Sequence, residues 1–128
     1  MKELALQAVT LNSMPQVATP LSSGMKLYKH QKLGLGRLFQ WFDDESMNDG
    51  ILADDMGLGR TAQIIALLLG RLPQEERPAL VIVPSILMRN WKNEFDRMAK
   101  GSLFQVLYIH NLQDFATCKK QVSLEITR

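Results

Sequence analysis

Gly50-Ile51-Leu52-Ala53-Asp54-Asp55-Met56-Gly57-Leu58-Gly59-Arg60-Thr61 is the stretch on which the fold turns. A short apolar run, Ile51 to Ala53, leads into a loop with two glycines, and the loop opens directly into an apolar helix from Thr61 to Leu72. Strand, glycine loop and helix in this order suit the binding of a phosphate. Gly57 and Gly59 admit backbone conformations closed to other residues and let amide N–H groups approach an anion. The helix start adds unpaired N–H groups and the positive end of its dipole. A cation at Arg60 would meet terminal phosphate oxygens, and the Thr61 hydroxyl would meet Mg²⁺. The strict phosphate-loop pattern has glycine at position 54 and lysine at 60, where this chain has Asp54 and Arg60. A plain strand-to-helix turn is the competing reading. The order Gly-x-Gly, cation, hydroxyl and buried helix within one unit favours phosphate.

Outward from the loop, the helix over 61–72 carries Ala62, Ile64, Ile65, Ala66, Leu67, Leu68 and Leu69 around nearly its whole circumference, which predicts burial. Upstream, Leu35, Leu38, Phe39 and Phe42 form one apolar stripe and predict a helix from Lys29 to Glu45. Gly34 and Gly36 weaken that helix by ~1 kcal/mol each, which points to close packing against them. Downstream, the continuous run Ala79-Leu80-Val81-Ile82-Val83 reads as a strand covered on both faces. Pro84-Ser85 opens a helix with Leu87, Trp91, Phe95 and Met98 on one face, Phe104 to Ile109 reads as a third strand, and a short helix is expected near Leu112 to Lys119. Strands alternating with helices predict an α/β fold with a parallel sheet and helices on both faces. Residues 1–24, with Pro15, Pro20 and Gly24 and no sustained period, read as a poorly ordered or loosely packed leader, and 25–128 as the folded unit.

Composition excludes several classes. Of 128 residues, 46% are hydrophobic and 22% charged, which argues against disorder, collagen and coiled coil. A formal charge of +2 permits a polyanion partner without demanding one. The single cysteine, Cys118, leaves no internal disulfide and no all-cysteine metal site, which favours a reducing, intracellular setting. No apolar run reaches the ~20 residues of a membrane span. His30 and His110 have no metal-ligand spacing with each other or with Cys118 and read as bystanders.

The segment Asp54-Asp55-Met56-Gly57-Leu58-Gly59-Arg60-Thr61-Ala62-Gln63 resembles the nucleotide loop of the Swi/Snf-type helicase-like ATPases, in which aspartate at the first glycine position is ordinary, so that only Arg60 departs. Two more segments agree in order and spacing. Leu27-Tyr28-Lys29-His30-Gln31-Lys32-Leu33-Gly34 is similar to the segment whose glutamine contacts adenine, and Leu80 to Leu87 with Asn90-Trp91 and Glu94-Phe95 to a motif beside the DNA backbone. The likeness covers about residues 25 to 110, with some leaning to the eukaryotic branch that often carries RING insertions. It implies a partial RecA-like sheet of the P-loop NTPase type, ATP and Mg²⁺ as cofactors, double-stranded or nucleosomal DNA as partner, and a nuclear protein of chromatin-remodelling or DNA-repair type. The cofactor-binding residues it implies are Gln31, Asp54, Asp55, Met56, Gly57, Leu58, Gly59, Arg60 and Thr61, with Thr61 on Mg²⁺, and Ser85 and Arg89 at DNA phosphate. A carboxamide at Gln31 suits the N6 and N7 edge of adenine.

Such an ATPase also needs an acidic box after a later strand and arginines from a second lobe. No Asp-Glu pair follows an apolar strand here, and Glu125 is the nearest candidate. The chain therefore reads as a partial first ATP-binding lobe with no catalytic residue of its own. Lysine would act as a point charge between phosphates where Arg60 is a wide planar fork, so Arg60 is expected to allow weak nucleotide binding and to depress hydrolysis. A non-catalytic, degenerate interaction module that retains the fold is the alternative.

Overall fold

Three main helices organise the chain: α1 (Lys29–Asp43), α2 (Arg60–Arg71) and α3 (Ser85–Met98), followed by a short helix α4 over 112–118. They come from a computed structural model, which describes residues 21, 24–44, 46, 49–71, 78–99 and 106–118. Residues 1–20, 22 and 23 of the expected leader over 1–24, the start of the expected third strand at Phe104 and the acidic candidate Glu125 lie outside the described residues.

The periodic stripes produce helices close to where the spacing puts them. Leu35, Leu38 and Phe39 of α1 are buried, while Phe42, the fourth member of the stripe, is half exposed. The helix ends two residues before Glu45: Asp44 turns extended, and its N–H still reaches Gln40 O at 3.1 Å. Ile65, Ala66 and Leu69 of α2 are buried, and α2 lies between α1 and α3. Met98, in the last turn of α3, is fully buried, and Trp91 and Phe95 rest partly buried on the same cluster. Phe39, Ile65, Leu69 and Met98 form the centre of this core. Leu21, from the expected leader, packs against it.

Helices α1 and α2 run in the same direction. Gln31 at the start of α1 meets Leu58 just before α2, Gly34 lies under Gln63, and Asp43 at the end of α1 pairs with Arg71 at the end of α2. The Arg71 guanidinium also lies over the Phe39 ring at 4.6 Å. Residues 49–59 lead into the start of α2, and Gly50 passes so close to the Trp41 ring that a Cβ there would overlap it. No helix of the described residues is long and apolar enough to cross a membrane.

The expected α/β architecture, a RecA-like parallel sheet with helices on both faces, is not what the structure has. Among the described residues there is no strand, and the interpretable part is helical. The run 51–53 and the run 79–83 lack regular pairing, and 106–109 has none either. The reason is that an apolar run states which side chains avoid water but not which backbone would receive its hydrogen bonds. A parallel strand exists only with a neighbouring ladder. Without one, Ile51, Leu80 and Ile82 stand 82%, 82% and 86% exposed, where a sheet interior would have buried them.

Candidate functional site

The loop leading into α2 is shaped by its two glycines. Gly57 has φ +87° and Gly59 φ +82°, the left-handed region that costs an L side chain about 1–2 kcal/mol. Leu58 N–H bonds back to Asp55 O at 3.3 Å, closing the turn, and Gln63 N–H bonds to Gly59 O at 3.1 Å, opening α2. Among the described residues the amides of Gly57, Gly59, Arg60, Thr61 and Ala62 have no acceptor. These are the N–H groups a helix start leaves unpaired.

The loop is tied to α1 through one carbonyl. Leu58 O accepts from Gln31 Nε2 at 3.1 Å, and His30 Nε2 stands 3.1 Å from the same oxygen. The Gln31 side chain is only 7% exposed, and its Oε1 accepts the Tyr28 N–H at 2.9 Å, satisfying a first-turn donor of α1. Gly59 lets this happen, since a Cβ there would overlap Gln31 Nε2. At the loop's entrance, Asp54 Oδ2 accepts from Gln63 Nε2 at 2.6 Å. The His30 ring stacks on Tyr28, centroids 5.9 Å apart and nearly coplanar in orientation.

Parallel α1 and α2 place two helix N-termini at the same end of the molecule, and neither has an acidic residue in its first turn. Both dipoles then present their positive ends near the loop, an arrangement that favours an anion. Arg60 is exposed and pairs with no carboxylate among the described residues. Thr61, the second residue of α2, is half-buried. Open amides, a free cation and a hydroxyl at a helix start form a donor set that fits a phosphate chain with its Mg²⁺.

Of the residues singled out from sequence, Gln31, Asp54, Asp55, Met56, Gly57, Leu58, Gly59, Arg60 and Thr61 fall in one continuous neighbourhood, with Met56 and Asp55 exposed at its rim. Ser85 and Arg89 are not joined to it by any hydrogen bond or ion pair among the described residues. Ser85 is the first residue of α3, exposed, with Pro84 in the capping position. Two participants escape the sequence reading. His30, taken as a bystander, reaches the loop. Gln63 is a polar residue on an otherwise apolar helix, and that is the signal that marks it. Gly34, where the sequence predicts close packing, is the seat on which Gln63 lies.

A glycine-bent loop that opens into the partly buried helix α2, with Arg60 exposed at its start, is the frame of the site. Residues 30–125 match the SNF2-related domain, and the chain belongs to that family as part of a Snf2-type helicase-like ATPase region. Switch 2 of Arabidopsis thaliana is similar at 32% identity over 117 residues, covering 82% of this chain and 13% of that protein. Helicase SWR1 of Yarrowia lipolytica is 39% identical over 111 residues, 84% of this chain and 6% of its own length. The DNA excision repair protein ERCC-6-like of Mus musculus is 44% identical over 77 residues, 59% of this chain and 6% of its own. The chain thus spans a small part of each of these relatives. No solved structure matches it significantly.

Proposed function

We propose that residues 54–61 bind the phosphates of ATP with Mg²⁺, and that the chain is the ATP-binding portion of a DNA-dependent ATPase or translocase of the chromatin-remodelling or DNA-repair type, acting in the nucleus. The observation that carries the reading is the set of open amides of Gly57, Gly59, Arg60, Thr61 and Ala62 among the described residues, bent by two positive-φ glycines at the start of α2. Family membership and relatives named as helicases and as a DNA excision repair protein support the wider role.

In this reading the amides of Gly57, Gly59 and Thr61 hold β- and γ-phosphate oxygens, and Arg60 supplies the neutralising charge. Thr61 Oγ1 would hold Mg²⁺, which would supply neutralisation of phosphate charge. Gln31 keeps one N–H on Leu58 O and one Oε1 lone pair on Tyr28 N–H, which leaves its second N–H and second lone pair for the N7 and N6 edge of adenine. Ser85 and Arg89 at the start of α3 are the candidates for DNA phosphate.

Arg60 bears on the strength of binding. A planar guanidinium spreads its donors over a wider fork than the compact ammonium this position suits. Replacing it by Arg60→Lys is expected to tighten ATP–Mg²⁺ binding by calorimetry, by up to about tenfold, the worth of one well-placed charge-assisted hydrogen bond. Affinity unchanged by the substitution contradicts the placement of Arg60 at the phosphates. The same Arg60 favours a second reading, a non-catalytic module that keeps the fold. A module of that kind shows no difference in ATP affinity with and without Mg²⁺.

A further inference from the structure

We propose that Gln63 is a positioning residue for the phosphate-binding bend, holding it closed through Asp54 from a seat on Gly34. The inference deepens the ATP-binding reading and rests on it. Gln63 does not face the bend's open amides. It sits one turn into α2, 0% exposed, between α2 and α1. From there its Nε2 donates to Asp54 Oδ2 at 2.6 Å and so joins the two ends of the segment that contains both positive-φ glycines. A segment with two glycines has much conformational freedom to lose, and a single bond across its ends removes much of it before any ligand arrives.

Packing does not account for glutamine at this place. Its Oε1 is buried without a hydrogen-bond partner among the described residues, a cost that an apolar side chain of similar size would avoid. Its neighbour on α1 is Gly34, where any Cβ would overlap Oε1, so α1 gives up helix propensity to accommodate this carboxamide. Two local sacrifices, an orphaned oxygen and a glycine in mid-helix, converge on one side chain. Among the described residues, the only hydrogen bond of that side chain runs to the entrance of the bend.

A merely structural residue and a positioning residue differ in how stability and affinity move. Gln63→Leu removes the orphaned oxygen and keeps the volume, so the thermal midpoint is expected to stay or rise, while ATP–Mg²⁺ affinity by calorimetry falls about tenfold, the scale of one hydrogen bond to a charged acceptor. Asp54→Asn and Asp54→Ala both remove the carboxylate charge but differ in the acceptor offered to Gln63. The asparagine variant is expected to bind ATP about fivefold tighter than the alanine one, and that gap is expected to vanish when Gln63→Leu is added, the mark of a shared bond. Should Gln63→Leu not fold, the comparison at position 54 alone decides. Affinity unchanged in Gln63→Leu, or lost only in step with the thermal midpoint, overturns the positioning role while leaving ATP binding in place. A native chain that binds no ATP overturns the phosphate reading and this one with it.

Discussion

Gly57 and Gly59 share a conformation and differ in their surroundings, which makes them a natural pair for comparison. Both have left-handed φ, but a Cβ on Gly57 meets open space, whereas one on Gly59 overlaps the Gln31 carboxamide. Gly57→Ala is therefore expected to lose only the strain of its backbone, about 1 kcal/mol. Gly59→Ala adds displacement of Gln31 from Leu58 O and is expected to lose roughly 2–3 kcal/mol in denaturant unfolding. Equal losses would contradict the tie between the loop and α1. These glycines were legible from sequence because Gly-x-Gly before a helix has a known physical use. The partnership of Gln63 with Asp54 and Gly34 was not. Hydrogen bonds between residues far apart in the chain leave no period, and only a polar residue amid apolar ones hinted at it.

At the scale of elements, helices were legible because a repeat near 3.6 records directly which face is buried. Leu35, Leu38 and Phe39 mark the buried face of α1, and Trp91, Phe95 and Met98 that of α3, with Leu87 of the same stripe left exposed. The strand expectation failed, because runs such as 79–83 record apolarity and not the neighbour a ladder needs, and no strand forms among the described residues. The direction of α1 relative to α2 was invisible in the sequence, although it sets both N-termini at one end. The centre of the packing is Leu69 in α2, 1% exposed between α1 and α3. Leu69→Ala is expected to destabilise by about 2–5 kcal/mol, measured by denaturant unfolding, and a loss below about 1 kcal/mol would contradict its place in the core. At the exit of α1, Asp44 Oδ1 accepts Ser46 Oγ at 2.6 Å and Ser46 N–H at 2.9 Å, and these bonds hold the exposed carboxyl below the ordinary aspartate value. The bonds to the ionised form contribute fully above the unfolded aspartate value and are lost as pH falls through the lowered native one. A carbon-13 titration of Asp44 is expected to give a midpoint below that of a model peptide. A midpoint at or above it contradicts the turn.

Over the whole molecule, one end gathers the features that matter. The starts of α1 and α2, Arg60, the open amides and the Gln31 and Gln63 ties converge there, while the Arg71–Asp43 pair closes the opposite end. The core of Phe39, Ile65, Leu69 and Met98 holds the helices in register, so that the bend sits on a fixed base. Apolar side chains in the runs 80–82 and 86–87 are exposed. The account as a whole depends on nucleotide phosphates seating on the amides before and within the first turn of α2. An amide NMR titration of the chain with ATP–Mg²⁺ reads those groups one by one. The largest shifts are expected at Gly57, Gly59, Arg60 and Thr61, with little change in α3. Shifts absent from these four amides at saturating ATP would contradict it.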